Sequence, residues 1–480
     1  MPHLRILRFL LCLCLSACWI GAVHAQKTPA TGLPATVQAA LQRAKVPPEA
    51  LSVVVLPADG QAPRLAWQAD VARNPASVMK LVTTYAALEL LGPAFTWQTP
   101  VFIDGPVTDG VLRGNVVLQG VGDPKLVAER LWLMLRRLQG QGIRAIQGDI
   151  VLDRSAFTVP VRDAGEFDGE PWRPYNVAPD ALLVNFNALT LDFIPDAAAG
   201  VAHVAFEPPL AAMQVPASVA LAPQGTACGD WRAGLQADFA QPGRIVLAGS
   251  YPLACGEKLW SVAPAEPQRF GARAIAGMWQ QLGGQLSGQV RDGALPQGLK
   301  PAFVSTSPSL AEVIRDINKF SNNVMAQQLL LTLGLQESGS GSLQSAHAAL
   351  AQWWAAHGGS ADELVMDNGA GLSREGRITA QALARLLLQA WESPVMPELL
   401  SSLPISGMDG TLRRRKGRAQ GTAHLKTGTL RDVASIAGVV HGASGRRYVL
   451  VALINHPNAM AARTALDALV DWAWADRSAP

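Results

Sequence analysis

The segment NPASVMKLVTTYAAL, Asn74 to Leu88, decides how the chain is read, because it sets Lys80 in an apolar helix start three residues after Ser77. Lysine normally keeps its ammonium group in water, yet the neighbours of Lys80 are Val78, Met79, Leu81 and Val82. Residues three apart on a helix share a face, so the Lys80 amine can reach the Ser77 hydroxyl. Asn74-Pro75 just upstream places Ser77 in the first helical turn. There the helix dipole and unpaired backbone N–H groups favour developing negative charge. A lysine that takes a proton must itself be neutral, and burial or a neighbouring cation drives it that way. The pair alone is weak evidence: with nine lysines and 25 serines in 480 residues, one chance Ser-x-x-Lys is roughly an even bet.

Two more clusters accompany it. Ser321-Asn322-Asn323 follows INKF and opens the helical run VMAQQLLLTLGL, which puts a hydroxyl and a carboxamide at a loop-to-helix junction. Lys426-Thr427-Gly428-Thr429 lies in the strand-like HLKTGTL, where glycine lets another backbone approach closely. Each also has an ordinary reading, with Ser321 as an N-cap, Asn323 as a turn residue and Lys426 as an edge-strand lysine. His424 shares a strand face with Lys426 by the period of two, which makes it a candidate for a cleft wall.

The ordered triple Ser-x-x-Lys, Ser-x-Asn, Lys-Thr-Gly resembles the penicillin-binding proteins and serine β-lactamases. Ser321 follows Lys80 by 241 residues, far more than in β-lactamases, and this large insertion resembles the D-alanyl-D-alanine carboxypeptidase/endopeptidase family, the low-molecular-mass class C penicillin-binding proteins. VGDPKL (Val121 to Leu126), GDIVLD (Gly148 to Asp153), DNGAGLSR (Asp367 to Arg374) and SGMDGTL (Ser406 to Leu412) are similar to that family as well. The resemblance implies an enzyme that trims peptidoglycan stem peptides, cleavage of the cross-link being a second activity it permits. By the same resemblance Ser77 attacks the penultimate D-alanine, Lys80 accepts its proton, and Ser321 relays a proton to the leaving amine. Asn323 orients the substrate amide, Lys426 and Thr427 bind the substrate carboxylate beside Gly428, and the N–H groups of Ser77 and Thr429 hold the oxyanion. It implies β-lactams as covalent inhibitors and neither cofactor nor metal. The middle residue of the second motif is Asn322, where many relatives carry Asp.

Other readings are weaker. A glutamate-assisted β-lactamase carries Glu-x-x-Leu-Asn, and the sequence contains no Leu-Asn. A Ser-His-Asp hydrolase of the nucleophile-elbow type needs Gly-x-Ser-x-Gly, also missing. A non-catalytic wall-binding or lactam-sensing module that kept the fold is the remaining alternative.

The rest of the chain sets the context. Residues 1–25 read as a secretory signal: Arg5 and Arg8, an apolar run, then an exit at Ala25. Leu15-Ser16-Ala17-Cys18 also fits a lipoprotein box, with Cys18 as a lipid anchor. Both readings place the protein in the periplasm, without a transmembrane segment in the mature chain. Export favours a disulfide between Cys228 and Cys255, the two cysteines beyond the leader. Forty basic against 37 acidic residues exclude a general polyanion binder such as a nucleic-acid protein. The one dense basic run, Arg413-Arg414-Arg415-Lys416, reads as a solvated loop.

The expected architecture is α+β and multi-domain. Residues 26–93 and 302–480 form a discontinuous transpeptidase-like domain of antiparallel sheet flanked by helices. Residues 94–152 and 268–301 form an inserted α/β domain, because Ala128 to Gly142 with IRAIQGDIVL echoes Ala272 to Gly284 with QLSGQV. Residues 153–267 form a second, mostly β insertion. Asn185 and Asn187 read as strand residues there, and Ser338 to Ser342 as a flexible turn between helices.

Overall fold

The computed structural model describes residues 32–476, so the leader expected over 1–25, Cys18 included, lies outside the described residues. The strands Leu51–Pro57 and Leu65–Trp67 pair antiparallel, and Arg447–Asn455, Val433–His441 and Ala423–Leu430 extend them into a five-stranded antiparallel sheet. The three inner strands are apolar at almost every position because both faces are covered. Val53, Val55, Leu450 and Ala452 pack beneath the helices Ala35–Arg43 and Arg463–Trp474. Their alternates Val54, Val449 and Val451 face the helices Lys80–Leu91, Asn323–Ser338 and Ala380–Glu392. Burial of that two-sided core is the main stabilising term for this part of the chain.

Ala423–Leu430 is the edge strand of the sheet. Pro404 to Ser406 lies along its first half through N–H groups of Leu425 and Ser406. The segment from Lys426 to Thr429 borders the turn that carries Ser77.

Between these parts the chain forms a second core. A five-stranded mixed sheet runs Val290–Asp292, Ile150–Asp153, Asn115–Gln119, Gln98–Asp104 and Phe303–Thr306, its first two pairings parallel and the others antiparallel. The two echoing segments lie side by side in it. Helix Ala128–Gly140 leads to Ala145–Ile146 and Ile150–Asp153, helix Pro267–Gln281 leads to Gln285–Leu286 and Val290–Asp292, and the paired strands run parallel with Gln285 opposite Ala145 and Val290 opposite Ile150. A four-stranded antiparallel sheet made of Ser218–Ala220, Val201–Glu207, Leu189–Asp196 and Lys258–Val262 packs into the same core. Cys228 and Cys255 are joined there across 27 residues.

Two local expectations give way. Asn185, Phe186 and Asn187 are not a strand but a left-handed turn, with φ of 47°, 56° and 49°. Asn tolerates that conformation, and the carboxamides use it to tie elements together: Asn185 Oδ1 accepts from the Ala128 N–H and Asn187 Nδ2 donates to the Pro267 carbonyl. The Ser338 to Ser342 turn is also ordered by contact. Gly341–Ser342 pairs in parallel with Phe157–Thr158, and Ser342 caps the helix Leu343–Ala356 in a reciprocal arrangement with Ser345.

Closing a loop of this length constrains the unfolded chain by about 3–4 kcal/mol in the entropy model. The double variant Cys228→Ser/Cys255→Ser is therefore expected to lower the thermal midpoint, followed by circular dichroism, by several degrees. An unchanged midpoint would show that the bridge adds nothing to the core it lies in.

Candidate active site

Ser77 sits in the short 3₁₀ turn Ala76–Met79, and the α-helix begins at Lys80 itself. The turn is braced on every side. Asn74 Oδ1 accepts from the Ala76 N–H, Asn74 Nδ2 donates to the Ser373 carbonyl, and the Asn455 carboxamide bridges both backbone groups of Asn74. Ala76 is thereby held at φ +46°, a conformation that costs energy for any residue with a Cβ. Two glycines make room for the turn. A Cβ on Gly428 would lie 2.5 Å from the Pro75 carbonyl oxygen and 3.0 Å from the Ser77 nitrogen, and one on Gly371 would also lie 3.0 Å from that nitrogen. Gly428 thus serves close approach of the edge strand to the Ser77 turn.

Lys80 is fully buried. Its Nζ lies 3.1 Å from Ser77 Oγ, 2.7 Å from Asn323 Oδ1 and 2.6 Å from the Ala370 carbonyl oxygen. Lys426 is fully buried too, and its Nζ donates to Ser321 Oγ at 2.8 Å and to the Thr427 carbonyl at 2.7 Å. Among the described residues neither lysine has a carboxylate within ion-pair distance; the Lys319–Asp409 ion pair, two residues from Ser321, belongs to the neighbouring loop. Burial first, and the Lys426 charge second, hold the Lys80 amine well below its usual range. Burial pushes Lys426 down to about 7.

Ser321 ends the helix Leu310–Phe320 in a left-handed conformation, φ +57°, which turns its hydroxyl toward Lys426. Asn322 supplies the N-cap of the next helix, its side chain accepting from the Met325 N–H. Asn and Asp cap about equally well, which accounts for an amide in that position. Asn323 Nδ2 donates to the Tyr175 carbonyl, so the inserted region touches the same cluster. Thr427 Oγ1 lies 2.9 Å from Thr411 Oγ1, and Thr429 is exposed at the open end of the strand.

Ser77, Lys80, Ser321, Asn323, Lys426, Thr427, Gly428 and Thr429 therefore converge from three separate stretches. His424 does not join them: it packs against His441, ring centroids 5.6 Å apart, where the strand is covered by Pro404 to Ser406. Cys228 and Cys255 lie in the other core. Reading the sequence missed the Ala370 carbonyl, Tyr175 and Thr411. Ala370 and Thr411 stand in DNGAGLSR and SGMDGTL, stretches whose family likeness was the available signal, whereas nothing local marks Tyr175. No group of three or more metal-ligating side chains occurs among the described residues.

Fold and cluster together define the penicillin-binding class of proteins. The chain belongs to the D-Ala-D-Ala carboxypeptidase 3 (S13) family, whose model matches residues 33–475. It is 30% identical over 393 residues to the D-alanyl-D-alanine carboxypeptidase of Actinomadura sp. R39, covering 77% of this chain and 71% of that one. It is 25% identical over 387 residues to D-alanyl-D-alanine carboxypeptidase DacB of Haemophilus influenzae, covering 79% and 80%. The crystal structure of penicillin-binding protein 4 from H. influenzae superposes with a TM-score of 0.71 at 22% identity, over 90% of this chain and 99% of that one. The fold is that of a multi-domain penicillin-binding protein, and the family is one of peptidases.

Because Gly428 meets the Ser77 backbone directly, Gly428→Ala is expected to slow acylation by labelled penicillin at least tenfold with little change in thermal midpoint. An unchanged acylation rate would show that strand and turn can separate without cost.

Proposed function

We propose that Ser77 is the nucleophile of a D-alanyl-D-alanine carboxypeptidase acting on peptidoglycan stem peptides in the periplasm, with β-lactams as covalent inhibitors. The observation that carries this reading is the Lys80 amine, buried without a counter-ion and 3.1 Å from Ser77 Oγ.

Ser77 Oγ attacks the carbonyl carbon of the penultimate D-alanine and gives its proton to Lys80 Nζ. The oxyanion is met by the backbone N–H groups of Ser77 and Thr429, at roughly 3–4 kcal/mol per donor. The C–N bond then breaks, and the leaving amine takes a proton by way of Ser321, whose hydroxyl is held by Lys426. Water adds to the acyl-enzyme, the shortened peptide leaves, and Ser77 recovers its proton. Asn323 fixes the Lys80 amine and stands where a substrate amide would replace the Tyr175 carbonyl as its partner. Lys426 and Thr427 hold the substrate carboxylate.

A carboxylate bound at Lys426 favours its charged form. The cation so fixed disfavours protonation of Lys80, so substrate binding itself keeps the base neutral.

Ser77→Ala should abolish both the penicillin adduct and D-alanine release from a pentapeptide. Retention of either would remove Ser77 from the chemistry, while an adduct without peptide turnover in the unaltered enzyme would mark a lactam sensor. In the pH profile, kcat/KM should fall on the alkaline side as Lys426 loses its proton from about 7 upward. Since the bound carboxylate stabilises that proton, the alkaline limb of kcat should lie at higher pH than that of kcat/KM. Coincident limbs would place the substrate carboxylate elsewhere.

A further inference from the structure

The substrate line through the site has a direction. The oxyanion donors lie at Ser77 and Thr429 and the carboxylate site at Lys426 and Thr427, so whatever is attached beyond the scissile bond continues past Thr427 toward Thr411. For a carboxypeptidase that extension is a single D-alanine. For a cross-linked substrate it is a second stem peptide, which carries several free carboxylates. The surface it meets is strongly basic. Thr411 touches Thr427, and within the next seven residues Arg413, Arg414, Lys416 and Arg418 are all exposed. None of these four has an ion-pair partner among the described residues.

The loop is nevertheless fixed in place. The Lys319–Asp409 ion pair joins it to the helix that ends at Ser321, and Gly410 packs so tightly there that a Cβ would lie 2.5 Å from the Lys319 carbonyl oxygen. Farther along, Arg415 turns inward toward Asp467 at 3.5 Å, and Asp471 Oδ1 accepts from the N–H groups of Arg418 and Ala419. Arg418 lies over the Trp474 ring. One arginine thus anchors the loop, while the four exposed cations follow within seven residues of the Thr411 that touches Thr427. Like charges held this close repel one another and gain from an anionic partner.

We propose that the Arg413–Arg418 loop is a docking surface for the departing stem peptide of a cross-linked substrate, an anionic peptide, and so biases the enzyme toward cleaving cross-links. This rests on the catalytic reading of Ser77.

The test compares the unaltered enzyme with Arg413→Ala/Arg414→Ala/Lys416→Ala on three reactions: acylation by labelled penicillin, D-alanine release from a pentapeptide, and cleavage of a purified cross-linked muropeptide dimer. The triple variant should keep the first two rates and lose roughly five- to tenfold in kcat/KM on the dimer at about 20 mM salt, with the difference vanishing near 500 mM. Equal rates on the dimer, an equal loss on both peptides, or no dimer cleavage by the unaltered enzyme would each overturn the proposal. So would unchanged dimer cleavage with lost binding to phosphatidylglycerol vesicles, which would assign the loop to a membrane surface. Failure of the unaltered enzyme to acylate at all would overturn the reading of Ser77 instead.

Discussion

The structure turns on the hydrogen-bond count of one amine. An ammonium group has three donors and no acceptor, whereas a neutral amine has two donors and one lone pair. Lys80 has three partners, two of them carbonyl oxygens that can only accept, Asn323 Oδ1 and the Ala370 carbonyl. These two are also the nearer, at 2.7 and 2.6 Å, with Ser77 Oγ at 3.1 Å. In the neutral form both N–H bonds are used by the carbonyls, and the lone pair is left for the one partner that has a proton to give. Desolvation drives the amine toward this state, since among the described residues no carboxylate balances a charge there. The same burial that would be a fault in an ordinary core prepares Lys80 for the role of base proposed for it.

Much of the fold serves to keep those partners fixed. The helix carrying Lys80 packs under the central sheet, the edge strand brings Gly428 against the Ser77 turn, and Ser321 and Asn323 sit on either side of a helix junction capped by Asn322. Gly371 and Ala370 arrive on a loop nearly 300 residues later than Ser77. The Ala76 and Ser321 backbones are both held at positive φ, and each has a hydroxyl of the cluster beside it or on it.

What the sequence disclosed follows from how local each feature is. Ser77 and Lys80 are spaced by a helical turn, and the sheet strands are marked by apolar runs such as Val53 to Leu56, so both were readable from short windows. The echo of two helix–turn–strand segments was visible because each carries the same pattern alone, whereas the parallel pairing of their strands is seen only in the structure. Asn185 to Asn187 misled because alternation of Asn with apolar residues matches a strand, while their left-handed turn is imposed by the helix starts they bind. Ala370 contributes only its backbone oxygen, and Tyr175 likewise, so residue type said nothing of either contact. The loop at Arg413 looked like an ordinary solvated turn, because the contacts that fix it, to Asp467 and Asp471, come from a distant helix.

The most direct test is a titration of the Lys80 Nζ itself by nitrogen-detected NMR on lysine-labelled enzyme, with Lys80→Arg used to assign the signal. The account predicts a midpoint well below that of a free lysine, so that the resonance reports a neutral amine at a pH where free lysine is still protonated. A signal that stays in the ammonium form up to pH 10 would contradict it.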